Sequence, residues 1–148
     1  DVHGSRGLGD VYKRQDDSDI FIGCAAVSDF KPSKYSDKKI KKDDISNIDL
    51  GLKKNKDILS FVASNFISAY VVGFAAETDN VDTNAKKKLE AKNLDMIVSN
   101  DVSDKSIGFD VDDNEVNVYT KNNKFFLKKD KKIRIAREVL KIVASNIN

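Results

Sequence analysis

The sequence predicts an α/β domain: a doubly wound, mostly parallel sheet that ends in a C-terminal β-hairpin and a helix. Two observations predict the sheet. Three short apolar runs, at 20–27 (IFIGCAAV), 70–76 (YVVGFAA) and 94–98 (LDMIV), have the continuity of strands buried on both faces. Segments with helical apolar spacing alternate with them, and strand–helix alternation builds parallel sheets. The hairpin follows from a third observation, two apolar stretches that flank Asn122-Asn123.

The elements follow in order. Residues 1–15 (DVHGSRGLGDVYKRQ) hold three of the seven glycines together with Arg6 and Arg14, while the rest of the chain relies on lysine. They show neither a strand nor a helix period. Residues 1–18 are therefore expected to be a non-matching leader, foreign or truncated, with a native flexible terminus as the alternative. The first strand is placed at Ile20 to Val27. A lysine-rich stretch from Ser28 to Asn47 follows, with the chain's one proline, Pro32. It is long for a connection, and long connections carry function or disorder. Ile48 to Leu52 (IDLGL) alternates like a short strand. Asn55 is placed to cap a helix reaching Phe66, with Ile58, Leu59, Val62, Ala63 and Phe66 as its apolar face.

The second strand, Tyr70 to Ala76, leads into a helix opened by Asp79 or Asn80 and reaching Lys92. The third strand ends at Ser99, Asn100 and Asp101. Val116, Val118 and Tyr119 pair with Phe125 to Leu127 across the hairpin. The last helix is predicted to bury Ile133, Ala136, Val139, Leu140, Val143 and Ile147. Neither an internal repeat nor a linker divides residues 19–148, which are read as one partial domain.

Composition narrows the functions available. The 148 residues carry 26 basic against 24 acidic side chains, a net charge of +2, which disfavours a general nucleic-acid binder. No apolar run approaches the roughly 18 to 20 residues of a membrane span. A single cysteine, Cys24, excludes an internal disulfide and fits a reducing cytoplasm. With His3 as the one histidine, zinc sites built from clustered Cys and His are excluded too.

In an open α/β sheet, ligands bind outside the carboxyl ends of the strands. That edge receives Ala25, Ala26 and Asp29 from the first strand, Phe74, Glu77 and Thr78 from the second, and Asn100 and Asp101 from the third. The small residues of Gly23-Cys24-Ala25-Ala26 and Gly73-Phe74-Ala75-Ala76 leave room for a ligand; helix packing explains them equally well. Lys39-Ile40-Lys41-Lys42 lies in the long connection, where a solvated surface is the bland alternative. Lys88 and Lys92 stand four apart on one helix face, and an anion between them would relieve their repulsion. A basic exposed face, with Lys86 and Lys87, is the competing account. At Asn55-Lys56-Asp57 a helix N-terminus offers free N–H groups, although ordinary capping accounts for Asn55. Asp29 is suited to accept hydrogen bonds from two vicinal ribose hydroxyls, or is a plain turn aspartate. Cys24 reads as a small core residue.

Together these residues resemble the phosphopantothenate–cysteine ligase family. Ala25-Ala26-Val27-Ser28-Asp29-Phe30-Lys31-Pro32 and Lys39-Ile40-Lys41-Lys42 look like its AAV-x-D-[FWY]-x-P and K-[IM]-K-K motifs. Lys54-Asn55-Lys56-Asp57-Ile58-Leu59 is similar to K-N-P-D-I-[LV], and Val72 to Thr78 to V-G-F-A-A-E-T. Lys88, Leu89, Lys92, Asn93, Leu94, Asp95, Asn100 and Asp101 fit K-L-x-x-K-x-x-D…N-D, and Phe109 with Asn114 fits a later segment.

The resemblance implies a Rossmann-like domain and a CTP- and magnesium-dependent ligation of 4′-phosphopantothenate to cysteine through an acyl-cytidylate. It implies a nucleotide site of Gly23, Cys24, Ala25, Asp29, Lys39, Lys56, Asp57, Ile58, Leu59, Phe74, Lys88 and Lys92. In it Asp29 holds the ribose and Lys39 acts in catalysis. Lys56 to Leu59 line the pocket with Phe74, while Lys88 and Lys92 neutralise the triphosphate. It also implies a cytoplasmic homodimer, joined to or paired with a flavin-dependent decarboxylase domain, with no FMN, nucleic acid or membrane partner for this part. The magnesium ligands are not implied, and base choice between CTP and ATP rests on backbone geometry.

Two departures stand out. Lys56 replaces the family's proline, which is pre-set for the first helical position. The family's opening strand and its Gly/Ser-rich turn with an asparagine have no counterpart in residues 1–18, so the chain alone is expected to lack complete synthetase activity. A non-catalytic nucleotide-binding module is the alternative; a basic surface recruiting nucleic acid is disfavoured by the balanced charge.

Overall fold

The computed structural model describes residues 18–35, 49–103 and 112–147. In chain order the elements are β1 (Ile20–Gly23), β2 (Phe30–Pro32), β3 (Leu52–Lys54), α1 (Ile58–Asn65), β4 (Tyr70–Glu77), α2 (Val81–Ala91), β5 (Met96–Asp101), β6 (Asp113–Thr120), β7 (Lys124–Lys131) and α3 (Lys132–Asn146). The chain divides into two compact units, Asp1–Cys24 with Ile58–Asn148, and Ala25–Asp57. The smaller unit is an excursion between β1 and α1 that contains the lysine-rich stretch 28–47.

The larger unit is an α/β sheet of order β1-β4-β5-β6-β7. β1, β4 and β5 are parallel, in register at Gly23↔Gly73 and Glu77↔Asp101. β6 and β7 add an antiparallel hairpin, with Val98 opposite Val118 and a register shift between Asn114 and Val116. Helices cover both faces, which is why β4 and β5 read as continuous apolar runs. On one face α1 and α2 bury Val62, Ala63, Ala85 and Leu89 against Val71, Ala75, Ile97 and Tyr119. On the other, α3 buries Ile135, Val139 and Val143 against Val72, Met96, Val98, Val116 and Val118.

Three expectations change here. β1 stops at Gly23 and, among the described residues, pairs on one side only, with β4: Phe21 packs into the core, while Ile20 and Ile22 are exposed, so the apolar run is not buried on both faces. The buried stripe of α3 is Ile135, Val139 and Val143, while Ile133, Leu140 and Ile147 are exposed. Both rows satisfy helical spacing, and contact with Val116 and Val118 selects the first. Asn55 does not cap α1, which begins three residues later, at Ile58.

In the smaller unit, part of the presumed connection forms a ladder. β2 and β3 pair antiparallel, from Phe30↔Lys54 to Pro32↔Leu52. The Asn55 N–H donates to Asp29 O at 2.7 Å and its Nδ2 to Ser28 O at 2.6 Å, so its amide tethers the ladder. The Ser33 N–H and Oγ both donate to Gly51 O, at 2.8 and 2.9 Å.

α2 ends in a Schellman arrangement. Leu94 N–H donates to Leu89 O at 2.9 Å and Asn93 N–H to Glu90 O at 3.0 Å, with Asn93 at φ 52°. Asparagine tolerates this left-handed conformation better than residues with an apolar Cβ branch. Asn93→Ala is expected to cost about 1 kcal/mol in urea unfolding, and Asn93→Gly only a few tenths or nothing.

The hairpin is latched to α2 by Asp82, whose carboxylate accepts from the Tyr119 hydroxyl and pairs with Lys124 Nζ at 2.7 Å. Burial, then the bond to Asp82, pushes the Tyr119 phenol well above its usual range. The Lys124 bond, then Tyr119, holds the Asp82 carboxyl below its own. A raised phenol pKa gives stability that is full below the unfolded value of about 10 and is lost as pH rises beyond it. Alkaline titration should therefore unfold the protein progressively above about pH 10, and Tyr119→Phe should flatten that limb.

Candidate functional site

Within the α/β unit, the three parallel strands deliver their carboxyl ends to one edge, as ligand sites in open sheets require. β4 overhangs β1 there: Gly73 is the partner of Gly23, and Phe74 to Glu77 continue alongside β5 as far as Asp101. Cys24, just after β1, is exposed rather than a core residue. Phe74 is exposed too, unlike its strand neighbours Gly73 and Ala75. The core-residue reading of Cys24 fails because β1 ends at Gly23 and leaves Cys24 beyond the strand, exposed.

The two glycines answer a packing demand. A Cβ on Gly23 would lie 2.7 Å from Leu59 Cδ2, and one on Gly73 2.8 Å from Leu94 Cδ1 and 3.2 Å from Leu59 Cδ1. α1 thus rests on the strand backbones through Leu59, while Ile58 and Leu59 pack half-buried against the core. The edge is brought close to α1 by the absence of side chains at these two positions.

At this edge Glu77, Asn84 and Lys88 form a hydrogen-bonded polar cluster. Lys88 Nζ lies 2.6 Å from Glu77 Oε1, and Asn84 Nδ2 donates to Glu77 Oε2 at 3.2 Å and to Asp79 O at 3.0 Å. Side chains on a helix lean toward its N-terminus, so Lys88, two turns into α2, reaches back to the end of β4. The repulsion inferred between Lys88 and Lys92 is thus answered on the Lys88 side by an internal carboxylate. Lys92 is the C-cap of α2, one turn further along, with its N–H on Lys88 O at 3.1 Å. Sequence reasoning placed Glu77 at the edge but missed its bond to Lys88 and overlooked Asn84. The legible signal was a carboxylate on the buried alternation of Val71, Gly73 and Ala75, where an ionised group requires a cation.

Asp101 Oδ1 accepts from Ser103 N–H at 2.9 Å and Oγ at 2.6 Å, closing the turn after β5. Asn114 Oδ1 accepts from Glu115 N–H at 3.0 Å, at the β6 register shift. In the smaller unit, Ala25 and Asp29 are exposed on the β2 side, and Lys56 and Asp57 are exposed after β3. The Asp29 carbonyl is taken by Asn55, which leaves its carboxylate to solvent. Lys39 to Lys42 and Phe109 lie outside the described residues.

Among the described residues no three His, Cys, Asp or Glu side chains converge on a metal position. No helix among the described residues is long and apolar enough to cross a membrane.

Comparison with known proteins agrees with this fold. The family described as "DNA/pantothenate metabolism flavoprotein C-terminal domain" matches residues 5–147. The coenzyme A biosynthesis bifunctional protein CoaBC of Vibrio vulnificus is 38% identical over 133 residues, 88% of this chain and 33% of that protein. That of Bacillus subtilis is 42% identical over 131 residues, 88% of this chain and 32% of its own. The chain thus spans about a third of the length of these relatives. The crystal structure of the C-terminal domain of a CoaBC superposes with TM-score 0.72 at 31% identity, covering 92% of this chain and 58% of that one. A flavoprotein structure from Streptococcus pneumoniae, at TM-score 0.70 and 23% identity over 95% of this chain and 67% of that one, shares the fold. On a match that runs almost end to end, the chain belongs to the DNA/pantothenate metabolism flavoprotein C-terminal domain family.

Proposed function

We propose that this chain supplies the nucleotide-handling part of a cytoplasmic, CTP-dependent phosphopantothenate–cysteine ligase acting in coenzyme A biosynthesis. The observation that supports it best is Lys88: an ammonium group presented at the carboxyl edge of a parallel sheet, on a buried carboxylate, in a chain carrying the family's ordered motifs. Curated relatives named for coenzyme A biosynthesis align over most of the chain.

The chemistry asks little of the protein beyond position and charge. The phosphopantothenate carboxylate attacks the α-phosphorus, the bond to the bridging oxygen breaks, and pyrophosphate leaves. The cysteine amine then attacks the acyl carbon, loses a proton, and cytidine monophosphate departs. Asp29 accepts from the ribose hydroxyls, Phe74 and the 56–59 turn line the base and sugar, and Lys88 and Lys92 neutralise the triphosphate. Lys39 stabilises charge as the acyl-phosphate bond forms. Magnesium supplies charge neutralisation on the triphosphate. The ligase works as a homodimer joined to a flavin-dependent decarboxylase, in keeping with relatives that are bifunctional.

The test uses the full-length protein containing this chain. Given CTP, phosphopantothenate and cysteine, it should release cytidine monophosphate and pyrophosphate in equal amounts. Absence of nucleotide cleavage sinks the ligase reading, and calorimetric binding of CTP without turnover assigns a non-catalytic nucleotide-binding module instead.

A further inference from the structure

We propose that Glu77 is a positioning residue that presets Lys88 for the phosphates of the nucleotide, an inference that rests on the reading above. Glu77 is the last residue of β4, on the face that α2 covers. Its side chain is 10% exposed, whereas that of Lys88 is 45% exposed, at an N···O distance of 2.6 Å. The buried partner is therefore the anchor and the exposed partner the working end. An ionised carboxylate so enclosed requires a cation and filled hydrogen-bond sites. Lys88 supplies the charge, and Asn84 Nδ2 fills the second oxygen at 3.2 Å.

The consequence falls on Lys88. A lysine on an exposed helix face samples many rotamers, and a ligand must order it on binding. Here one of its three ammonium protons is committed to Glu77, which restrains the stem, while the side chain stays 45% exposed. Anchoring also aims the amine. Without Glu77, Lys88 is free to swing away from the strand end where the phosphates would lie.

The rival account makes the Glu77–Lys88 pair a clamp that only fastens α2 to β4. A double-mutant cycle set beside urea unfolding separates the two: a pure clamp lowers stability and gives Glu77→Gln and Lys88→Gln equal binding losses, whereas positioning makes the Lys88→Gln loss clearly the larger and leaves Glu77→Gln without effect once Lys88 is gone. Binding of CTP and of inorganic tripolyphosphate is measured by calorimetry for the chain and for Glu77→Gln, Lys88→Gln and the double variant. Glu77→Gln is expected to weaken both ligands roughly three- to tenfold, and to weaken neither further in the Lys88→Gln background. Asn84→Ala, which leaves both charges in place, should give a smaller loss that also vanishes with Lys88→Gln; it decides the matter should Glu77→Gln fail to fold. Equal losses in both backgrounds, or tighter binding by Glu77→Gln, overturn the proposal. If CTP binds no better than tripolyphosphate while the cycle holds, the nucleotide reading falls and the role of Glu77 stands. If neither ligand binds the unsubstituted chain, both fall.

Discussion

Leu94→Ala is expected to lower the unfolding free energy by about 3–4 kcal/mol, the range for a leucine whose site cannot collapse. Leu94 is 0% exposed. It precedes β5 as the residue that completes the Schellman end of α2, through its N–H on Leu89 O at 2.9 Å. Its Cδ1 fills the space beside Gly73, 2.8 Å from where a Cβ would stand. The side chain therefore joins the end of α2, the middle of β4 and the core under α1 in one contact. The backbone here is pinned by the Leu94 N–H on Leu89 O and the Asp95 N–H on Val71 O at 3.0 Å, so little relaxation can fill the cavity. Urea unfolding followed by circular dichroism measures the change. A loss below about 1 kcal/mol would show that the site collapses after all and that Leu94 is not the keystone described.

Lys39→Gln carries the second large effect, on chemistry rather than stability. If Lys39 meets charge that develops only as the acyl-phosphate bond forms, its removal should slow acyl-cytidylate formation by about 100- to 1000-fold. CTP affinity should change far less, because in the proposed site ground-state binding would be shared with Asp29, Lys88 and Lys92. Rapid-quench measurement of pyrophosphate release, set beside a calorimetric CTP titration in the full-length protein, separates the two. Equal losses in rate and affinity would assign Lys39 to ground-state binding.

Much of the fold was legible because period and burial coincide. The run at 70–76 lies in β4 and that at 94–98 leads into β5, buried on both faces over Val71 to Gly73 and Met96 to Ser99, and the Asn122-Asn123 turn sits between two real strands. Legibility failed where one pattern had two solutions. On α3 the rows through Ile135 and through Ile133 both fit a helix, and only the facing Val116 and Val118 choose between them. β2 and β3 were hidden by their length, three residues each with every side chain exposed, which leaves no burial pattern to read. Asn55 was misjudged because an amide before a helix can accept as a cap or donate elsewhere, and the sequence does not show which. At the candidate site, motif spacing located Lys88 and Glu77 on neighbouring elements. Their union depends on the backward lean of a helical side chain over two turns, which no linear pattern displays.

The exposed thiol after β1 has a practical consequence. Cys24 is the chain's one cysteine and stands, exposed, just after the carboxyl end of β1. A maleimide fluorophore should therefore attach at a single position without any background cysteine having to be removed. Quenching or spectral change of that dye on mixing with nucleotide would report arrival at the rim in real time, and a dye that ignores every ligand would send the search to another part of the surface.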